Sequence, residues 1–234
     1  MKIVILAGGK GTRLAEETAI KPKPMVMIGN KPIISHIIEI YKKYGFNDFY
    51  IAAGYKHEIL ERFFKKKINQ KINVTVINTG KETQTGGRLH KLKKFLKNEK
   101  FMLTYGDGLS SINIKKLLNF HNKNKKMITM TIVRPPARWG IVSIIGDRVK
   151  SFEEKNINNE GWINGGFMVI EPTIFEKYKY TSRTILEKNI LANVAKKNQL
   201  NAFKHHGFWQ CMDAMRDKVQ LDHMWENNPK WKIW

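Results

Sequence analysis

A single cysteine, Cys211, in a chain of 234 residues excludes an internal disulfide, and no Cys/His cluster has the spacing of zinc ligands. Cys211 reads as a small packing residue. Long apolar runs are missing as well. Residues 1–6 and 101–103 fall far short of the ~20 apolar residues of a membrane span, so no transmembrane helix is expected. The amino terminus runs straight into an apolar stretch and a glycine loop, with no basic region, apolar core and cleavage site in succession, and reads as that of a cytoplasmic protein. Acidic residues are scarce: 20 Asp+Glu stand against 42 Lys+Arg, a net charge of +22. Such an excess suits polyanions, nucleic acids among them. The lysines, however, are spread over helix-like stretches such as 63–71 and 91–100, interleaved with Asn and Ile as on solvated faces. No nucleic-acid partner is expected from that distribution, and a nucleotide or sugar phosphate would gain from the same field. Internal repeats and low-complexity linkers are absent. With 42% hydrophobic residues, the chain can bury a substantial core as a single domain over 1–234.

What is present alternates. Residues 2–6 form an unbroken apolar run ended by Ala7-Gly8-Gly9, the pattern of a buried parallel strand feeding a loop. A broad apolar stripe over 33–44 predicts a helix stopped by Gly45. Strands follow at 48–53, 74–78, 101–104, 127–133 and 162–170, with helices at 56–64, 86–96, 114–123, 184–198 and 213–226. Two strand-like runs, 141–145 and 148–152, flank a Gly-Asp turn and predict a hairpin. Strand–helix alternation implies right-handed crossovers and a largely parallel sheet, with chemistry at the carboxyl ends of the early strands.

The loop Leu6-Ala7-Gly8-Gly9-Lys10-Gly11-Thr12-Arg13 can turn its N–H groups toward an anion, since its glycines remove side chains from the path. A plain glycine turn has the same composition. The loop is not a Walker A sequence, which needs Gly, four residues, then Gly-Lys-Ser/Thr, and it misses the dinucleotide fingerprint because Leu14 stands at the third glycine position. Arg13 adds a planar cationic fork. In Lys21-Pro22-Lys23-Pro24-Met25, prolines stiffen the backbone around Lys23, although a solvated basic turn would look similar. Asp107 follows a predicted strand between two glycines, where a carboxylate can face a ligand crevice or merely cap a turn.

Taken together, Leu-Ala-Gly-Gly-x-Gly-Thr-Arg-Leu, Lys21-Pro22-Lys23-Pro24-Met25 and Gly29-Asn30-Lys31-Pro32-Ile33 resemble the signature of sugar-1-phosphate nucleotidyltransferases. Further matches are Glu16-Glu17-Thr18, Thr85-Gly86-Gly87-Arg88-Leu89, Thr104-Tyr105-Gly106-Asp107-Gly108, Ile163-Asn164-Gly165-Gly166-Phe167 and Gly207-Phe208-Trp209-Gln210 before Met212-Asp213. They are similar to the glucose-1-phosphate cytidylyltransferase branch of that family.

The resemblance implies an α/β, Rossmann-like fold: a mostly parallel mixed sheet flanked by helices, of the GT-A-like kind. About 1–113 would bind the nucleotide and about 114–234 the sugar phosphate. It implies Mg²⁺ as cofactor, and a nucleoside triphosphate, CTP favoured, and a sugar 1-phosphate as substrates. Lys23, Arg13 and Asp107 would be catalytic. Leu6, Ala7, Gly8, Gly9, Gly11, Thr12, Arg13, Lys23, Thr85, Gly86, Arg88 and Asp107 would surround the nucleotide. Tyr105, Glu154, Lys155, Asn164 and Gly165 would meet the sugar phosphate, and Asp107 and Asp213 would hold the metal. Arg88, or a neighbouring N–H, would donate to O2 or N3 of cytosine, with Gly86-Gly87 permitting close approach of the base.

Two departures stand out. Asn156 replaces the proline that the family has after its Glu-Lys pair, and the segment from Phe64 to Val74 is short where this branch carries an insertion that helps subunits assemble. A homo-oligomer is thus compatible with the resemblance without carrying over from it. The rival readings are a same-fold enzyme using UTP, dTTP, GTP or another phosphorylated acceptor, and a non-catalytic basic binding module. Of the remaining polar residues, Asp217 is expected to face outward or pair with Lys218 or Arg216. His205-His206 reads as a surface or packing pair, His36 as a core histidine, and Trp225, Trp231 and Trp234 as packing for the carboxyl-terminal tail.

Overall fold

The computed structural model describes residues 1–66, 71–135, 141–153 and 161–234. In chain order its strands are β1 (Lys2–Ala7), β2 (Met27–Ile28), β3 (Lys31–Pro32), β4 (Asp48–Ala53), β5 (Asn73–Asn78), β6 (Phe101–Tyr105), β7 (Gly108–Ser110), β8 (Ile128–Val133), β9 (Ile141–Ile145), β10 (Arg148–Glu153), β11 (Ile163–Ile170), β12 (Leu200–His205) and β13 (Trp209–Cys211). The helices are α1 (Ala15–Thr18), α2 (Ile33–Lys42), α3 (His57–Lys65), α4 (Thr85–Lys91), α5 (Lys93–Leu96), α6 (Ile114–Asn124), α7 (Ile174–Lys177), α8 (Ala192–Lys196) and α9 (Met215–Asn227).

Seven strands form one sheet in the order β12-β8-β11-β6-β1-β4-β5. Every pairing in it is parallel except those of β11, which runs antiparallel to both β6 and β8. The unbroken apolar run of β1 is explained by burial on both faces. Ile3, Ile5 and Ala7 join the core beneath α2, while Val4 and Leu6 join the opposite core with Leu89, Leu103 and Met168. The stripe predicted for α2 is almost wholly buried, from Ile33 to Tyr41. The chain passes from β1 to β4 and β5 on one side and returns to β6 on the other. The strand order therefore reverses at β1, opening a crevice at the carboxyl ends of β1 and β6.

The hairpin forms as expected, β9 pairing antiparallel with β10 around Gly146 at φ +57°. Three expectations need correction. The helix predicted from 184 begins at Leu186, because Ile185 is extended (φ −93°, ψ 120°), and its first turn, Leu186–Leu191, is a π-helix before α8. The helix predicted over 86–96 is broken at Leu92, where ψ is −1°. The last helix starts at Met215, two residues later than expected, behind extended Ala214. Strands β7, β12 and β13 carry no signal of their own. β12 alternates half-buried and exposed residues on the sheet edge, and β7 and β13 span three residues each and pair only with one another.

The aromatic tail packs as expected. Trp231 is fully buried and donates from Nε1 to Nδ1 of buried His36 at 3.4 Å, while Nε2 of His36 donates to the Ile28 carbonyl at 3.0 Å. No helix among the described residues is long and apolar enough to cross a membrane.

Candidate active site

The loop after β1 owes its shape to a buried arginine. Arg88, on α4, is 4% exposed, and its guanidinium donates to the carbonyls of Gly8 (2.9 Å), Gly80 (2.7 Å), Lys81 (3.2 Å) and Ala53 (3.3 Å) and to Thr79 Oγ1 (2.7 Å). A Cβ on Gly8 or Gly54 would overlap that guanidinium. Gly11 takes φ +66°, a backbone state that favours glycine, and leads into a short 3₁₀ turn, Thr12–Leu14. Leu6, Ala7, Gly8, Gly9, Gly11, Thr12 and Arg13 line a cavity of about 310 Å³ whose opposite wall comes from Thr83, Gln84 and Thr85.

At the floor of this cavity, Lys23 Nζ donates to Asp107 Oδ2 at 2.6 Å and to Asp213 Oδ1 at 2.9 Å, and Arg13 Nη2 reaches Asp213 Oδ1 at 3.4 Å. Proline brackets Lys23 in a 3₁₀ turn, Lys23–Met25, that follows extended Pro22. Asp107 lies two residues past the end of β6. The two carboxylates are 106 positions apart in sequence, and the β7–β13 ribbon brings them together: Cys211 pairs with Gly108, and Met212 N donates to the Asp107 carbonyl at 2.9 Å. Burial works to lower the pKa of Lys23, but the charges and hydrogen bonds of Asp107 and Asp213 outweigh it and the net shift is upward. For Asp213 burial pushes up, Lys23 and Arg13 outweigh it, and the carboxyl is held below the usual carboxylate value. Burial, then the neighbouring Asp213, pushes the Cys211 thiol up to about 12, so it stays protonated at neutral pH, consistent with a packing role.

A second cavity, of about 540 Å³, lies on the other side of these carboxylates. Tyr105, Asp107 and Asp213 line both. Its walls include Asn164 and Gly165 from β11, Trp209 and Gln210 from β13, and Glu187 from the π-helical turn. Trp209 Nε1 donates to the Gly165 carbonyl at 2.8 Å, Asn164 Nδ2 donates to the Tyr105 hydroxyl at 3.2 Å, and that hydroxyl donates to Glu187.

Two cavities thus share Asp107 and Asp213, the carboxylates that hold Lys23. The family model described as nucleotidyl transferase matches residues 2–226. The chain belongs to the nucleotidyl transferase family. It is 40% identical to glucose-1-phosphate cytidylyltransferase of Salmonella typhimurium over 257 aligned positions, with both chains fully covered. It is 33% identical to D-glycero-alpha-D-manno-heptose 1-phosphate guanylyltransferase of Campylobacter jejuni, covering 84% of this chain and 87% of that one. Among solved structures it is similar to HddC from Yersinia pseudotuberculosis complexed with GMP-PN, with TM-score 0.75, 25% identity, and 96% and 99% of the two chains covered.

In this nucleotidyl transferase, some residues singled out in the sequence have surroundings that their spacing did not show. Gly86 and Gly87 do not line the first cavity. A Cβ on Gly86 would come 2.8 Å from Thr184 Cγ2, and one on Gly87 2.7 Å from the Thr181 carbonyl, so their bareness serves the packing of α4 against 181–186. Arg88 lines the cavity, yet its guanidinium is committed to backbone carbonyls and Thr79 rather than presented to a base. Asp217 does not face outward, although it does pair with Arg216, Nε to Oδ1 at 3.8 Å. It is 3% exposed and accepts from the backbone N–H groups of Asp213 and Ala214, each at 2.9 Å, holding the Asp213 backbone at the start of α9. Glu154, Lys155 and Asn156 lie outside the described residues. Sequence reasoning missed Glu187. Its only signal was an acidic residue near the start of a predicted helix, which says nothing of a cavity 80 residues upstream in the chain.

Proposed function

We propose that this protein transfers CMP from CTP to glucose 1-phosphate, releasing pyrophosphate and forming CDP-glucose. The observation that carries the reading is the junction of two cavities at Asp107 and Asp213, the carboxylates that hold Lys23. The choice of CTP and glucose 1-phosphate rests on the full-length likeness to glucose-1-phosphate cytidylyltransferase. A cytoplasmic setting, where nucleoside triphosphates are made, belongs to the same reading. The nucleotide lies in the first cavity, walled mainly by residues of 1–113, and the acceptor in the second, to which 114–234 contribute most.

The reaction forms a bond from an acceptor phosphate oxygen to the α-phosphorus and breaks the bond between that phosphorus and the oxygen bridging to the β-phosphate. A phosphate monoester, with a second pKa of ~6, is already mostly dianionic at neutral pH and needs no general base. The barrier is the approach of two polyanions and the charge that builds on the leaving pyrophosphate. Arg13 and Lys23 supply fixed cations there, and Lys23 stays protonated because its pKa is raised. Lys155 is proposed as a further cation at the acceptor phosphate.

Enzymes of this family generally use a divalent metal. The donor set fits Mg²⁺: two carboxylates, Asp107 and Asp213, already converge on one cationic group, Lys23 Nζ, and Mg²⁺ is commonly held by one or two carboxylates with substrate phosphates and waters. Bound between them, it would neutralise phosphate charge. Asp217 keeps the Asp213 backbone in place for that role.

Selection of cytosine over uracil requires a carbonyl to accept from N4 and a donor to O2 or N3. With Arg88 engaged, the donor falls to backbone N–H groups of the glycine loop or to the Gln84 side-chain amide in the facing wall. A matrix of four nucleoside triphosphates against a panel of sugar 1-phosphates, read by pyrophosphate release, tests the reading. CTP with glucose 1-phosphate is expected to give the highest kcat/KM, and release limited to another pair would replace it.

A further inference from the structure

Glu187 has a setting that the transfer chemistry does not account for. It is a carboxylate in the wall of the cavity proposed to admit a phosphorylated acceptor. Unlike Asp107 and Asp213, it has no hydrogen bond from Lys23. Its partners are neutral hydroxyls: Tyr105 donates to Oε1, and Thr85 Oγ1 donates to Oε2 at 2.8 Å. Thr85 in turn accepts from Leu186 N at 2.8 Å, so the carboxylate is fixed from both sides. The turn that presents it, Leu186–Leu191, is a π-helix, a conformation often found at functional sites.

The other polar side chains of the cavity wall are largely engaged. The Asn164 oxygen accepts from Gly166 N at 2.9 Å while its amide donates to Tyr105, the Trp209 N–H is held by Gly165, and the Gln210 amide is tied to the Cys211 carbonyl. Burial, then Glu187, raises the pKa of Tyr105, so its hydroxyl remains a donor to Glu187. An ionised carboxylate has about four lone-pair sites, and two here are filled, which leaves acceptor capacity facing the cavity. A phosphate dianion would be repelled by this group. A sugar hydroxyl would not, since it donates a hydrogen bond and carries no charge.

We propose that Glu187 accepts a hydrogen bond from a hydroxyl of the acceptor sugar and so selects among sugar 1-phosphates, with Tyr105 and Thr85 holding its carboxylate in place. This rests on the reading of the second cavity as the acceptor site. Because the carboxylate is charged and pre-oriented, an acceptor lacking that hydroxyl loses on the order of 10- to 100-fold in kcat/KM.

The test measures kcat/KM for glucose 1-phosphate and its 2-, 3-, 4- and 6-deoxy analogues with CTP, in the wild type, Glu187→Ala and the isosteric Glu187→Gln. The wild type is expected to penalise each deoxy analogue to its own degree. In Glu187→Ala the penalty at one ring position, or at two adjacent ones, should collapse toward unity while the others persist. Glu187→Gln, which keeps volume and one acceptor but loses the charge, should shrink the same penalty partway, and it provides the readout if the alanine variant fails to fold. Uniform loss across all five acceptors, or an unchanged pattern, would overturn the role and leave Glu187 as a structural brace. Absence of turnover with every sugar phosphate in the wild type would remove the functional reading and this role with it, whereas wild-type turnover with uniform loss in the variants removes only the role of Glu187.

Discussion

Arg88 Nη2 donates to the Gly8 carbonyl at 2.9 Å, and Gly8 has no side chain to obstruct the guanidinium beneath it. The pair joins α4 to the loop after β1 and makes the position of every N–H in that loop depend on a buried cation 80 residues away. Arg88→Lys removes the planar fork and leaves several buried carbonyls short of donors, each costing ~1–3 kcal/mol. About 3 kcal/mol of destabilisation is expected, or ~6–12 °C in Tm for a chain of this size, read by thermal denaturation. Gly8→Ala should disturb the same contact and raise KM for the nucleotide.

Asp107→Asn and Asp213→Asn should each keep the fold but lose most turnover, since a neutral amide is a poor ligand for a hard cation. Mn²⁺ binding followed by electron paramagnetic resonance gives a readout independent of activity, and both variants should bind the ion more weakly in the presence of a nucleoside triphosphate. Wild-type turnover in either variant would exclude that residue from the metal role. Asp217→Asn should show a weaker version of the Asp213 phenotype, because it reaches the metal site through the backbone of Asp213.

Lys23→Ala should lower kcat strongly, because a cation at the transferring phosphate matters most as charge develops, whereas Lys155→Ala should chiefly raise KM for the sugar phosphate. Steady-state kinetics with each substrate varied in turn separates the two. An unchanged sugar-phosphate KM with weakened nucleotide binding in Lys155→Ala would reverse the assignment.

The ion cluster also sets a pH dependence of stability. The pKa of Asp213 is depressed in the folded state, so its contribution is present above the ordinary carboxylate value of ~4 and is lost as pH falls through the lower folded value. Lys23 is raised, so its contribution is complete below its ordinary value of 10.5 and is lost only as pH rises past the higher folded value. Urea denaturation should show the stability gap between wild type and Asp213→Asn constant from pH 7 to about 5 and shrinking below about 4. A gap that persists at pH 3 would mean that the Lys23 pairing is not its source.

The parts of the fold that were legible in the sequence were those whose signal is local. The two-faced burial of β1, the stripe of α2 and the Gly146 turn each follow from neighbouring residues. Lys23 and Asp107 could be singled out because glycine or proline marks their backbone. The convergence of Asp213 on Asp107 could not, since it depends on a three-residue ribbon whose strands have no pattern when read alone. For Asp217 the pairing with Arg216 was legible and the burial was not: helical spacing suggested an outward side chain, but α9 begins at Met215 and turns Asp217 back onto the N–H groups before it. Arg88 shapes the glycine loop through Gly8, 80 positions away, and Glu187 is set by partners 82 and 102 positions away, which no periodicity reports.

The most direct test of the account sets CTP against UTP at equal concentration in one reaction with glucose 1-phosphate and measures the ratio of CDP-glucose to UDP-glucose formed. Uracil would set its O4 against the carbonyl that should accept from N4, leaving a buried acceptor unpaired at a cost of ~1–3 kcal/mol. The predicted ratio is at least ~10 in favour of CDP-glucose, a difference of ~1.4 kcal/mol in transition-state free energy. Parity, an excess of UDP-glucose, or no nucleotide sugar from either triphosphate would contradict it.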